Sequence, residues 1–207
     1  MAHDLRTAAD AADTWAKTGL PILNGLTLPD SVRAKLATSI FDLCIEQFQG
    51  IRALSQVQLA GPAMTLYRPQ FEAYVRATWL WFAASESQVT KFLEGKEPPK
   101  IDIMLAGISK AKNGDAFGTY LGEAKAGIWR NACNYTHGGH LQAKSRIDSE
   151  GVRRSFDGAL MAQLLEAAKM LSFLAAVGIC AVADDEIRAN ALHRIFQFEG
   201  NETLATR

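Results

Sequence analysis

The residues best suited to chemistry lie in one short stretch that contains Arg130, Asn131 and His137. Arginine offers a planar, permanently charged fork for phosphate oxygens, and an imidazole can take or give a proton near neutrality. His137 follows Arg130 by seven positions, close to two helical turns, so Arg130, Asn134 and His137 share one face if a helix extends that far. This spacing predicts a site that handles a phosphate group.

A single copy of this stretch is predicted to hold a phosphate only loosely. The helical rise from Arg130 to His137 is roughly 10 Å, and helical side chains lean toward the N-terminus, so Arg130 leans away from His137. Two copies that meet across a dimer axis can close on the phosphate. The spacing therefore favours a homodimer.

Residues 130–137 resemble the motif of nucleases in the HEPN superfamily, where an arginine and a polar residue precede a histidine by four to six intervening residues. Six residues intervene between Arg130 and His137 in this chain. The resemblance implies a helical bundle whose paired protomers form a metal-independent RNase site, with the RNA's own 2′-hydroxyl as nucleophile. It implies His137 as general base or acid, Arg130 as the residue that stabilises the phosphate, and Asn131 as an orienting residue.

The Tyr-Thr-His-Gly-Gly run at residues 135–139 is also similar to a segment of bacterial proteins of unknown function, in which an Arg-x-x-x-Glu helix precedes it. Three features depart from compact HEPN proteins, and the first is that this chain, with 207 residues, is longer than many of them. Gly127 weakens the predicted helix just before the motif, and the glycines at 138 and 139 are not part of the usual pattern. The family likeness covers eight residues and the helical class.

A second group of charged residues, Arg68, Glu72 and Arg76, is spaced i, i+4, i+8 on a predicted helix. One interpretation is a salt-bridge ladder, worth about 0.3–0.5 kcal/mol per exposed pair. The functional interpretation is that Glu72 hydrogen-bonds His137 or Tyr135 and fixes its orientation, while an arginine contacts a phosphate. Both interpretations stay open at this point.

Two other interpretations apply to the histidine stretch. His137 and His140 form a potential metal pair, but the intervening glycines disrupt a regular helix face and no third ligand lies nearby, so we expect no metal or cofactor. In the structural interpretation, His137 complements the helix dipole and Arg130 pairs with a carboxylate. The rival function is then a non-catalytic helical interaction or scaffold domain.

The charge balance bears on the partners. Twenty-two basic residues match 22 acidic ones, so no global field attracts duplex DNA, which we do not expect as a partner. Between residues 130 and 154, however, the sequence has five basic residues and only two acidic ones. This local excess suits RNA as a partner. An antitoxin protein is a further expected partner class of the nuclease interpretation.

The three cysteines and the apolar stretches bear on the compartment. Cys44, Cys133 and Cys180 are far apart and predict small core residues in a reducing environment rather than disulfides. The most apolar stretch, Met170 to Ala183, has 14 residues, short of the roughly 20 that a membrane span needs. No apolar signal core opens the chain. We expect a cytoplasmic protein with no membrane partner.

Apolar spacing is helical along nearly the whole chain and predicts one all-α domain over residues 1–207, a bundle of about five to seven helices. The first 30 residues are expected to form a helix and a loop, with Asp30 or Ser31 capping the second helix. Further helices are predicted over 115–137, with Gly138 and Gly139 as a left-handed C-cap, over 158–183, and over 184–198 with Ile187 turned inward. In the helix that carries Arg68, Pro69 is expected either to cause a kink or to mark the true start of the helix. Residues 199–207 are expected to be a frayed tail.

Overall fold

The computed structural model describes residues 2–111, 121, 125, 134–152 and 157–205 of the 207-residue chain. Helices account for nearly all of this part of the chain, and its strands are confined to one short antiparallel hairpin. The prediction of an all-α fold is confirmed. The helix predicted over 115–137 falls largely outside the described residues, among which Leu121, Lys125 and residues 134–136 are helical.

Eight α-helices have defined ends within the described ranges, above the predicted five to seven. In chain order the elements are α1 (Ala2–Thr18), a 3-10 helix (Leu20–Leu23), α2 (Val32–Gln56), α3 (Ala60–Phe82), α4 (Glu86–Leu93), α5 (Ile101–Lys110), α6 (His140–Lys144), β1 (Ile147–Asp148), β2 (Gly151–Val152), α7 (Gly158–Ala183) and α8 (Glu186–Ala205). The difference comes from α4 and α6, which are only 8 and 5 residues long. Local capping starts α4, since Ser85 and Gln88 each bond the other's backbone N–H.

Helices α2 and α3 pack against each other as an antiparallel pair joined by a tight turn. The Ser31 hydroxyl accepts the Ala34 N–H at 3.1 Å, which confirms the predicted cap of α2. The chain turns between the helices at Gln58, whose φ is 58°. Helix α3 then begins at Ala60, so Pro62 lies in its first turn, where a missing N–H costs no helical hydrogen bond.

Helix α3 continues without interruption through Pro69. Its inward face carries Tyr67, Phe71 and Val75, all buried. The sequence left two roles for Pro69, a kink or the true helix start, and the start at Ala60 excludes the second. Proline has no N–H to donate to the carbonyl four residues earlier, which here belongs to Thr65. The Thr65 carbonyl accepts a hydrogen bond in the candidate site described below.

Helix α7 lies in the centre of the fold, packed against α1, α2, α3 and α8. Its 26 residues coincide with the predicted helix over 158–183 and include the 14-residue apolar stretch, and by length and composition alone the helix could cross a membrane. More than half of its most apolar window is nevertheless buried against other helices. Within the described chain α7 is therefore the core helix of the bundle.

Both described cysteines are free and buried, as predicted. The Cys44 thiol donates to the Leu171 carbonyl at 3.7 Å, so it ties α2 to α7. Burial raises the pKa of the Cys44 thiol, and burial also raises that of Cys180, to about 11. Cys133 lies outside the described residues.

The last helix, α8, packs on α7 and α1 through aromatic rings. Phe196 stacks on Phe173 with ring centroids 4.1 Å apart, and Trp15 meets both rings edge-on. Ile187 was predicted to point inward but is 82% exposed, because the packed face of α8 runs through Leu192 and Phe196 instead. The helix also continues to Ala205, past the position where the sequence predicts a frayed tail.

Candidate functional site

The charged stripe of α3 forms only half of the predicted ladder. The Arg68 Nε–H donates to Glu72 Oε1 at 2.8 Å, and both side chains are about one quarter exposed. Arg76 makes no ion pair with Glu72, and its Nε is buried without a hydrogen-bond partner in the described structure. Among the described residues, the stripe therefore holds one guanidinium paired with Glu72 and a second one whose Nε has no hydrogen-bond partner.

His137 lies just beyond a helix end. Residues 134–136 are helical, His137 and Gly138 form a turn, and α6 begins at His140. Gly138 has a φ of 64°, which confirms the predicted left-handed conformation after the helix. The helical residues end at Thr136, one position before the predicted helix end at His137, and Arg130 lies outside the described residues. We call residues 134–140 the histidine segment.

Asn134 holds the histidine segment in shape. Its backbone oxygen accepts the Gly139 N–H at 2.7 Å, and its side-chain Oδ1 accepts the Leu141 N–H at 2.9 Å. Since the N-cap of α6 is Gly139, which has no side chain, Asn134 supplies the cap from five residues upstream. A Cβ on Gly139 would lie 2.3 Å from that Oδ1, so only glycine fits this close approach.

Two further contacts bind the histidine segment to the bundle. Tyr135 is buried, and burial raises the pKa of its phenol. The Thr136 hydroxyl donates a long hydrogen bond, 3.5 Å, to the Thr65 carbonyl of α3. This is the carbonyl to which Pro69 cannot donate, so the proline leaves an acceptor on α3 for the segment to use.

His137 projects from this scaffold onto Arg68. Arg68 Nη1 lies 2.6 Å from His137 Nε2, and the imidazole is exposed. A guanidinium can only donate, so Nε2 must accept and the ring proton must sit on Nδ1. Of the two interpretations of Glu72, the described contacts agree with the salt bridge, since Glu72 bonds Arg68. They do not show the direct bond from Glu72 to His137 or Tyr135 that the functional interpretation expected, and Glu72 reaches His137 only through Arg68.

This arrangement suits an oxyanion. The Arg68 guanidinium is held from one side by a carboxylate and faces an exposed imidazole on the other. An incoming phosphate oxygen can accept from the guanidinium and, after proton uptake, from the imidazole. Arg68, Glu72 and His137 are therefore the predicted site residues that the described structure brings together.

The remaining predicted site residues have other places. Arg130 and Asn131 lie outside the described residues. The Asn134 amide donates to His140 Nδ1 at 3.2 Å, so His140 supports the histidine segment rather than pairing with His137. In the described part of the chain, no cluster of three or more His, Cys, Asp or Glu side chains is placed to hold a metal.

No sequence pattern pointed directly to Thr65, whose carbonyl accepts a hydrogen bond from the histidine segment. A proline in a helix always leaves the carbonyl four residues earlier without its usual donor, so Pro69 was an indirect signal. Asn134 was a candidate for a supporting or ligand-binding role on the predicted face of His137. Its described contacts give it the supporting role, because they position the histidine segment.

Fold and site together define an all-α protein that presents an arginine–histidine pair on its surface, built from a long helix and a glycine-rich turn. The chain belongs to a family of unknown function, DUF6988, whose model matches residues 41–198. This range contains α3 and the histidine segment. Neither the curated proteins nor the solved structures include a match to this chain.

Proposed function

We propose that this protein is a HEPN-like, metal-independent endoribonuclease of the cytoplasm that acts at His137. The observation that carries the proposal is the exposed imidazole of His137 held 2.6 Å from the Arg68 guanidinium. A charged fork and a proton-transfer group side by side are what phosphate chemistry needs when no metal takes part. The helical class of the fold agrees with the HEPN resemblance.

The chemistry consists of one transesterification. The RNA 2′-oxygen attacks the adjacent phosphorus, a P–O2′ bond forms and the P–O5′ bond breaks. A base takes the 2′-hydroxyl proton and an acid gives a proton to the departing 5′-oxygen. The products are a 2′,3′-cyclic phosphate and a 5′-hydroxyl end. His137 acts as base or acid, and Arg68 neutralises the phosphate oxygens while Glu72 holds its guanidinium in place.

A homodimer completes this scheme. Base and acid act on opposite sides of the phosphorus, and one protomer supplies only one His137. Two protomers that face each other across the scissile phosphate supply both groups. Arg130 and Asn131 are proposed to join the same site, Arg130 on the phosphate and Asn131 as an orienting residue. Single-stranded RNA is the proposed substrate, and an antitoxin that covers the site is the proposed protein partner.

The alternative function is a non-catalytic interaction domain. Its specific support is that Arg68, Glu72 and His137 already bond one another within one protomer. In that case removal of His137 changes the stability of the protein or its binding to a partner, and it does not change the rate of any reaction. The exposure of His137 favours the enzyme, since a substrate phosphate can reach the imidazole from solvent.

Incubation with mixed cellular RNA in excess chelator tests the proposal. We expect wild-type protein to give fragments that end in cyclic phosphate, and His137→Ala to give none. His193→Ala is the matched control, because His193 is an exposed histidine on α8 that contacts Phe173 and lies outside the candidate site. Equal cleavage by wild type and His137→Ala would contradict the proposal, as would an absence of cleavage by wild type in the presence of candidate RNAs and without any inhibitor.

A further inference from the structure

We propose that Arg68 and His137 form an oxyanion site in which binding is coupled to the uptake of one proton by His137. The ligand class is a phosphate or sulfate oxyanion, of which an RNA phosphodiester is one member. This inference deepens the proposed function and rests on its phosphate-binding part. It does not require that the bound phosphodiester be cleaved.

The coupling follows from the donor and acceptor roles at the contact. Without a ligand, His137 Nε2 must carry a lone pair, because Arg68 Nη1 approaches it to 2.6 Å and has only hydrogens to offer. An oxyanion that enters between the two side chains has only acceptors. It can accept from Arg68 as it stands, but it can bond His137 Nε2 only if that nitrogen gains a proton.

The surrounding charges favour this exchange. Arg68 faces His137 from α3, Glu72 lies behind Arg68 at 2.8 Å, and Arg76 follows on the same stripe. Two guanidinium groups and one carboxylate leave a net positive charge on the stripe, which draws an anion. In the histidine segment itself, His140 is turned to Asn134 and Tyr135 is buried.

Proton uptake gives the site a defined response to pH. In the unliganded state a proton on Nε2 would place two hydrogen-bond donors against each other. A bound anion removes that conflict and stabilises the imidazolium by a charge-assisted hydrogen bond. By linkage, anion affinity must then fall as the pH rises, because the complex in which the anion bonds both side chains takes up a proton from solution.

Sulfate alone is the probe for the test, since it stays fully ionised near neutrality and is not a substrate. Binding is followed by titration calorimetry at constant ionic strength, with sodium chloride as the balancing salt. We expect the dissociation constant of wild type for sulfate to rise with pH, by at most about tenfold per pH unit for the uptake of one proton. Nitrogen NMR of the imidazole should show a proton on Nδ1 without sulfate and on both nitrogens with it.

His137→Gln identifies the proton acceptor, because it keeps a hydrogen-bond donor but cannot titrate. We expect this variant to bind sulfate more weakly and with no dependence on pH. Arg68→Gln leaves Glu72 without its partner, so the double variant Arg68→Gln/Glu72→Gln is used to remove the guanidinium without an unpaired carboxylate. It should lose sulfate binding, while His193→Gln should match wild type.

The outcomes separate this inference from the proposed nuclease. Sulfate binding by wild type that does not depend on pH would overturn the coupling, and equal binding by wild type and the double variant would overturn the site. Proton-coupled binding in a protein that cleaves no RNA would support the oxyanion site and contradict the nuclease. RNA cleavage without any sulfate binding at Arg68 and His137 would support the nuclease and contradict the oxyanion site.

Discussion

Arg68 Nη1 and His137 Nε2 meet at 2.6 Å although 69 positions separate them in the sequence. Neighbouring residues hold each of the two side chains in position. Arg68 rises from a long helix and is held by Glu72, whereas His137 projects from a turn shaped by Asn134, Gly138 and Gly139. A contact built in this way constrains both side chains before any ligand arrives, which lowers the entropy cost of binding.

Pro69 is predicted to lower the stability of α3 and, at the same time, to support RNA cleavage at the candidate site. Replacing it with alanine restores an N–H that can donate to the Thr65 carbonyl, so Pro69→Ala should raise the free energy of unfolding, by about 1–3 kcal/mol. The same N–H competes with the Thr136 hydroxyl for that oxygen. RNA cleavage should therefore fall while thermal stability rises.

Pro62→Ala is the matched control for this change. Pro62 lies in the first turn of α3, where the backbone N–H has no helical partner, so its replacement should alter stability by less than about 1 kcal/mol and leave cleavage unchanged. Thermal denaturation and RNA cleavage are measured on all three proteins. A Pro69→Ala protein that is less stable than wild type would show that the proline contributes packing rather than a free carbonyl.

Asn134 is predicted to act through the cap of α6. Asn134→Ala removes the acceptor of the Leu141 N–H and should cost about 0.5–2 kcal/mol, a typical range for a lost cap. Asn134→Asp keeps that acceptor and should restore most of the loss. Hydrogen exchange at the Leu141 amide checks the mechanism directly, with fast exchange expected in the alanine variant and slow exchange in the aspartate variant.

Gly139→Ala is predicted to displace the histidine segment. Its Cβ would lie 2.3 Å from Asn134 Oδ1 and 3.0 Å from the Asn134 backbone oxygen, so the turn must open. We expect a loss of stability of about 1–3 kcal/mol, as for other overpacked sites, together with a loss of cleavage.

Gly25→Ala is the comparison for that variant. Gly25 has a φ of 72° and open space around it, so alanine there meets only backbone strain, of about 1–2 kcal/mol, far from the histidine segment. Cleavage should survive in Gly25→Ala after correction for stability. If Gly139→Ala cleaves RNA as well as Gly25→Ala does, the shape of the segment does not matter for the activity.

The sequence predicted the fold better than the site, for physical reasons that the individual elements make clear. The helical class, the Ser31 cap and the helix over 158–183 follow from local patterns of apolar spacing and capping, and the structure has all three. Ile187 was assigned inward because apolar spacing alone sets the face of a helix only approximately. The stacking of Phe196 on Phe173 decides the face, and it depends on contacts distant in sequence.

The site was predicted in part. Spacing placed Arg68 and Glu72 on one helix face and identified Gly138 as a left-handed residue, and both hold. Which of the two charged side chains reaches His137 depends on where the histidine segment docks along α3. That position is set by the Thr65 carbonyl and by the burial of Tyr135, neither of which local spacing reveals. The roles of Arg130 and Asn131 stay predictions.

The acid stability of α8 is predicted to depend on Asp185. Hydrogen bonds from the Arg188 backbone N–H and guanidinium hold the pKa of this carboxyl below its usual value. A lowered folded-state pKa contributes stability above the unfolded pKa of about 3.9 and loses it as the pH falls through the folded value. The Tm advantage of wild type over Asp185→Asn should therefore be full at neutral pH and shrink below about pH 4.

Asp184→Asn is the control for Asp185. Asp184 has a φ of 55°, a left-handed conformation that asparagine also tolerates. It directly precedes Asp185, whose carboxylate accepts the Arg188 N–H at the start of α8. We expect no comparable dependence of its Tm difference on pH. A Tm difference for Asp185→Asn that stays constant from neutral to acid pH would show that the carboxylate charge does not stabilise the start of α8.

The rate of RNA cleavage in excess chelator tests the central claim most directly. Wild type, His137→Ala and Arg68→Lys are compared on one single-stranded RNA, with His193→Ala and Arg194→Ala as controls that remove the same side-chain types from α8. We predict a loss of about 10²–10⁴-fold for His137→Ala, the usual contribution of a proton-transfer group, and control rates equal to wild type. Cleavage by His137→Ala at the wild-type rate would contradict the account.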